Sequence, residues 1–185
     1  MFAGAFSVHW LVALFLLDPE LTRERLKRQR TADPVVLFLI RALSLGTIVT
    51  ATLDVGRFHW LGAVPLAISV VALALMIAAL AFALTAVRAN RFFVPAVRIQ
   101  TERGHHVVDR GPYRYIRHPG YAATLVFLPT SALAIGSWLA VLPGVLAATA
   151  FVYRAVREDA FLREKLEGYA DYARRVRYRL VPGLW

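Results

Sequence analysis

The chain has 185 residues, 58% of them hydrophobic, and carries 22 Lys and Arg against 12 Asp and Glu, for a net charge of +10. That apolar share exceeds the roughly 45–50% of a soluble domain, which excludes a disordered basic tail, and the positive mean hydropathy argues against a soluble nucleic-acid binder. There is no cysteine, so disulfides, thiolate metal sites and a cysteine nucleophile are excluded as well.

Residues 2–17 form the first apolar block, with only Ser7 and His9 as polar interruptions. It is short for a bilayer core, which takes about 20 helical residues. A signal peptide is the alternative, but the block lacks a basic leader and no small-x-small site precedes Asp18. Pro34–Leu53 is the second block, interrupted by Arg41. Residues 61–87 form a third block without a charge, and residues 121–153 a fourth. At about 1.5 Å per residue the fourth would reach about 50 Å, too long for one crossing. Gly136-Ser137 divides it into residues 121–135 and 138–153. The expectation is an all-α integral membrane protein of one domain, residues 1–185, with five transmembrane helices. The last two would form a tight helical hairpin, kinked at Pro129 and Pro143.

Charge placement supports that count. Segment 18–33 holds five Lys and Arg, segment 88–120 seven, and segment 154–185 eight. Five crossings put all three segments on one side, and the positive-inside rule makes that side the cytoplasm, with the amino terminus outside. The chain thus divides into three N-terminal helices (residues 1–87) and a loop, hairpin and tail (residues 88–185).

The loop and tail concentrate the chemistry. The loop ends in Gly111-Pro112-Tyr113-Arg114-Tyr115-Ile116-Arg117-His118-Pro119-Gly120-Tyr121, where Gly-Pro and His-Pro steps read as stiff turns. Tyr stacks on a ring or a cationic ligand, and Arg forks onto a carboxylate or phosphate. The competing reading is an interfacial belt of snorkelling Arg and Tyr. His105-His106 lacks further ligands at metal spacing, so no metal is expected. In the tail, residues 154–166 read as a helix, with Arg154 and Glu158 four apart and able to pair. Tyr169, Tyr172 and the basic run 174–179 follow, able to stack on a ring or to attract anionic lipid.

Two ordered motifs carry a resemblance. One is His105-x-Val107-Val108-x-x-Gly111-Pro112-Tyr113-x-x-x-Arg117-His118-Pro119-x-Tyr121. The other is Arg154-x-x-x-Glu158-Asp159-x-x-Leu162, followed by Tyr169-x-x-Tyr172 and Arg175-Val176. Over roughly residues 90–185 the sequence resembles the isoprenylcysteine carboxyl methyltransferase family, most closely its small prokaryotic members. The resemblance implies an S-adenosylmethionine-dependent membrane enzyme that methylates a lipophilic acceptor, most readily a carboxylate, with a thiol or amine as alternatives. It also implies a cytoplasmic cofactor pocket formed by the loop before the hairpin and the tail. By likeness, His105 and the Gly111–Pro112 turn belong to that pocket. Val107 and Val108 would meet the adenine, and Tyr113, Arg117, His118, Pro119 and Tyr121 the amino-acid end. Tyr169 and Tyr172 would complete the site from the tail. Arg154 and Glu158 would be catalytic, Arg154 forking onto an acceptor carboxylate and Glu158 holding Arg154 or facing the sulfonium. Ala123, Asp109 and Asp159 stand where the family more often has Gly, Thr and Glu.

Two other function classes compete. An NADPH-dependent membrane reductase of isoprenoid or sterol type shares a related C-terminal half but is usually larger. A non-enzymatic membrane protein would use the basic loop and tail to bind lipid headgroups. Expected partners are a lipophilic substrate and membrane lipids, without nucleic acid; the oligomeric state stays open.

Overall fold

In the computed structural model of the chain, residues 19–26 and 30–185 are described. The expected first span, residues 2–17, lies outside them. Among the described residues six α-helices are seen: α1 (Pro19–Leu26), α2 (Pro34–Leu53), α3 (Leu66–Ala89), α4 (Pro119–Ile135), α5 (Val141–Lys165) and α6 (Tyr169–Arg175). A π turn, Asp54–Phe58, ends α2, and two 3-10 turns, Thr101–Arg103 and Gly111–Arg114, punctuate the long loop. Among the described residues the regular structure is entirely helical.

Helix α2 fills its apolar block from end to end, with Pro34 in its first turn, where the missing N–H costs nothing. Helix α3 starts later than its block, after Pro65, because the residue before a proline is driven out of the helical region. Pro34–Phe58 and Leu66–Ala89 are long and apolar enough to cross a membrane. Their large side chains face outward: Val35, Phe38, Leu45, Leu66, Val71 and Ile77 are all exposed. Their packed sides are small, with Ala72, Ala79 and Ala86 buried at seven-residue spacing on α3. A water-soluble helix shows the reverse; small residues inside and large apolar ones outside suit lipid.

Helix α3 packs along α4, and α5 packs against both α4 and α2. The α4–α5 crossing is tight at Gly144, where an added Cβ would stand 2.9 Å from the Leu128 carbonyl oxygen. Pro129 lies inside α4 as expected. Pro143 does not kink a helix: α5 begins at Val141, so the proline falls in the first turn. A second correction concerns continuity. The expected short span, 138–153, and the expected tail helix, 154–166, are joined without a break in the single 25-residue helix α5, Val141–Lys165.

The three basic segments meet at one end of the bundle. The Ala32 N–H donates to the Val97 carbonyl at 3.0 Å, Glu24 pairs with Arg98 at 2.8 Å, and Asp33 pairs with Arg154 at 2.8 Å. At the other end, Ser137 in the hairpin turn donates its hydroxyl to the buried Asp54 carboxylate at 2.6 Å. Asp54 also accepts from the Trp60 N–H at 2.8 Å. These contacts tie the start of α2 to the second half of α5, and the end of α2 to the α4–α5 turn.

Candidate functional site

The loop and tail close on each other. Leu166, Tyr169, Tyr172, Ala173 and Val176 form a buried cluster that packs against Ile99, Val107 and Leu162. The Arg117 and His118 N–H groups donate to the Tyr178 and Arg179 carbonyls at 3.0 and 2.9 Å. The Tyr172 hydroxyl donates to the Tyr113 carbonyl at 2.8 Å. Beneath this cap lies a cavity of about 450 Å³, within the usual range of ligand sites.

Most of the predicted site residues reach it. From the loop, His105, Val107, Val108, Tyr113, Arg117 and His118 line the cavity. Tyr121 of α4, Arg154 and Glu158 of α5, and Tyr169 and Tyr172 of α6 complete that set. Gly111, Pro112 and Pro119 stand outside the wall. Gly111 turns the chain at φ +57°, Pro112 lines a separate apolar groove, and Pro119 opens α4. They shape the loop and leave the lining to their neighbours.

Asp159 organises the tail side, with 1% of its surface exposed. Its carboxylate meets Arg117 Nε at 2.7 Å, accepts from the Tyr169 hydroxyl at 2.9 Å and from Arg163 Nε at 3.1 Å, and lies 3.6 Å from His118 Nε2. Burial alone would raise this carboxyl, but the nearby His118 ring, the Arg117 charge and the Tyr169 hydroxyl outweigh it and hold it well below the usual range. Arg117 is fully engaged: its Nη1 also donates to the Ala173, Val176 and Arg177 carbonyls at 3.2, 2.8 and 3.1 Å, capping the end of α6. It therefore fixes the cavity wall, with no free fork for a ligand carboxylate.

Arg154 and Glu158 share a helix face but do not pair. Arg154 Nε meets Asp33 Oδ2 at 2.8 Å, its Nη2 donates to Asp33 Oδ1 at 3.2 Å, and it also donates to the Pro95 carbonyl. Glu158 accepts instead from the Tyr121 hydroxyl. The Tyr121 ring is stacked on His118 at 5.6 Å, lies 5.2 Å from Phe151, and has the Arg154 guanidinium 5.9 Å over its face.

On the loop side His105 packs on Phe92 at 4.4 Å, and its Nδ1 accepts from the Gln100 N–H at 3.3 Å. Burial, then the charges of His106, Arg98 and Arg103, lower its pKa to about 4, so the ring is neutral at pH 7. Gln100, 1% exposed, ties the loop back through Nε2 to the Phe92 carbonyl at 2.8 Å. The Phe93 ring lies so close to Gly120 that an added Cβ would stand 2.5 Å from it.

Reading the sequence alone misses several of these residues. Asp33 and Arg154 are partners across 121 residues, and no local spacing announces such a pair. Asp159 is legible only as a departure beside Glu158. Arg41, Ser44, Asn90, Phe92 and Gln100 also line the cavity.

The isoprenylcysteine carboxyl methyltransferase (ICMT) family model matches residues 70–164, just over half the chain. That match takes in most of α3, which the motif resemblance left out, and ends before Tyr169. Two rice proteins, from Oryza sativa subsp. indica and subsp. japonica, are each named "Probable protein-S-isoprenylcysteine O-methyltransferase". Each is 28% identical over 95 residues, which is 50% of this chain and 50% of the relative. The chain thus spans about half the length of the curated relatives it matches.

Proposed function

The chain belongs to the isoprenylcysteine carboxyl methyltransferase family, and on that premise we propose that it transfers a methyl group from S-adenosylmethionine to a lipophilic acceptor at the membrane interface. The acceptor group is a carboxylate in the first instance. One observation carries this reading: the loop and tail motifs, 30 or more residues apart in sequence, line one cavity of about 450 Å³ beside two apolar, outward-facing helices.

The cavity fits the methyl donor by its chemistry. Glu158 offers a carboxylate whose one partner among the described residues is a neutral tyrosine hydroxyl, and Tyr121 and Phe151 offer faces that attract a cation. The neutral His105 ring, the Phe92 ring and the Val107–Val108 stretch suit the uncharged base end of a nucleoside. S-adenosylmethionine supplies a methyl group activated on a positively charged sulfur. The chain's residues then have to align and to exclude water. Tyr113, Tyr169 and Tyr172 close the cytoplasmic side, while α2, α3 and α4 leave an apolar side towards lipid. Glu158 faces the positive charge. Arg154, held by Asp33, positions the Tyr121 ring and through it Glu158. A carboxylate acceptor is already ionised at pH 7 and needs no base; for a thiol, Glu158 would accept the proton. The family match gives no support to the reductase alternative.

We place the amino terminus outside and the site on the cytoplasmic side, because the basic segments gather at the site's end of the bundle. Calorimetric titration of the purified chain with S-adenosylhomocysteine tests the assignment. Saturable binding is expected, lost in the Tyr113→Ala, His118→Ala double variant while helical circular dichroism persists. No binding by the wild type, or unchanged binding by the variant, would sink it.

A further inference from the structure

Four arginines line the cavity: Arg41, Arg98, Arg117 and Arg154. Three of them are occupied. Arg98 pairs with Glu24 at 2.8 Å and Glu102 at 2.7 Å. Arg117 holds Asp159 and the end of α6. Arg154 holds Asp33 and the Pro95 carbonyl. Among the described residues, no hydrogen bond, ion pair or ring contact engages the Arg41 guanidinium.

Arg41 is the sole charged residue of α2. It stands seven residues past Pro34, about 11 Å along the helix at about 1.5 Å per residue. A charge that deep in an apolar span is costly, and such residues mark ligand paths or pair with a partner. Its helix face is not arbitrary. Leu37, Ile40, Arg41 and Ser44 all line the cavity, and the spacing i, i+3, i+4, i+7 puts them on one stripe of α2. Across from that stripe, Ala79, Leu80 and Ala83 of α3 supply an apolar wall. A free cation, a hydroxyl and an apolar wall together describe a seat for an amphiphile with an anionic head.

Resting on the methyl-transfer reading above, we propose that Arg41, with Ser44, anchors the carboxylate of the acceptor and makes the site selective for anionic lipophiles. The guanidinium forks onto the carboxylate oxygens, and the Ser44 hydroxyl donates beside it. An amine head, positively charged at pH 7, is repelled by the same arginine. The acceptor-holding cation thus comes from α2, outside the matched region 70–164.

The test is equilibrium binding to the full chain in lipid nanodiscs, with S-farnesylthioacetic acid and its carboxamide as probes. The wild type should prefer the acid by about tenfold or more, the size of one charge-assisted contact. Arg41→Gln should bind acid and amide equally, and Arg41→Lys should keep part of the preference. Both variants should keep wild-type affinity for S-adenosylhomocysteine. An acid preference that survives in Arg41→Gln, or is absent from the wild type, overturns the proposal and leaves Arg41 snorkelling to the interface. Failure of the wild type to bind S-adenosylhomocysteine instead overturns the methyl-transfer reading beneath it.

Discussion

Asp159 neutralises Arg117 where that guanidinium is 4% exposed. Asp159→Asn keeps the shape and removes the charge, leaving a buried cation without its counter-ion. Breaking a buried pair costs about 3–5 kcal/mol. Because Arg117 keeps three carbonyl acceptors, the lower end is expected, read as a fall in melting temperature in detergent. An unchanged melting temperature would contradict the account. The pH dependence has a definite sign. The Asp159 carboxyl is depressed in the folded chain, so its contribution is full above the ordinary value of about 3.9 and fades as pH falls below it. His105 acts in a different window. Its folded value of about 4 lies under the ordinary 6.5, so the unfolded chain binds more protons between them and stability falls as pH drops from 6.5 to 4. Melting temperatures across that range should show the slope, and His105→Gln should flatten it. Glu158 makes a third prediction. If it faces the sulfonium, Glu158→Gln weakens S-adenosylmethionine by about tenfold and leaves S-adenosylhomocysteine, whose sulfur is a neutral thioether, alone. Equal loss for both would place Glu158 elsewhere.

At the level of elements, α5 joins the two functions of the chain. Its first half packs in the bundle and its second half carries Arg154, Glu158 and Asp159 into the site. The packing depends on Gly144, and Gly144→Val should cost about 1–3 kcal/mol through the clash with the Leu128 carbonyl. Gly46→Ala in α2 meets nothing within 4 Å and should be harmless. Equal melting temperatures for the two variants would contradict the crossing. Apolar run length made α2 legible from the sequence, and the Gly136-Ser137 break made the hairpin legible. The fusion of the last span with the tail helix was hidden, because Arg154 interrupts the apolar run without interrupting the backbone hydrogen bonds. Most of the residues that the motifs announced line the cavity. The motifs left out Asp33, Gln100 and Arg41, whose roles come from contacts across distant segments or from position on a helix face.

For the molecule as a whole, the +10 charge and the apolar 58% have separate meanings. The apolar residues coat α2 and α3 on their outer sides, and the basic segments gather at the end where the site lies. The absence of cysteine allows a direct check of sidedness with single introduced thiols in sealed vesicles. Glu167→Cys should react with an impermeant maleimide from the cytoplasmic face only, and Arg57→Cys from the opposite face. The reverse pattern would invert the proposed topology. The central claim is methyl transfer to a lipophilic acceptor, and mass spectrometry tests it most directly. The purified chain is incubated with lipid extract and S-adenosylmethionine bearing a trideuterated methyl group. The account predicts a membrane-extractable product heavier by one trideuteromethyl ester, formed by the wild type and lost in the Tyr113→Ala, His118→Ala variant. No labelled lipophilic product, or label on an amine in place of a carboxylate, would contradict it.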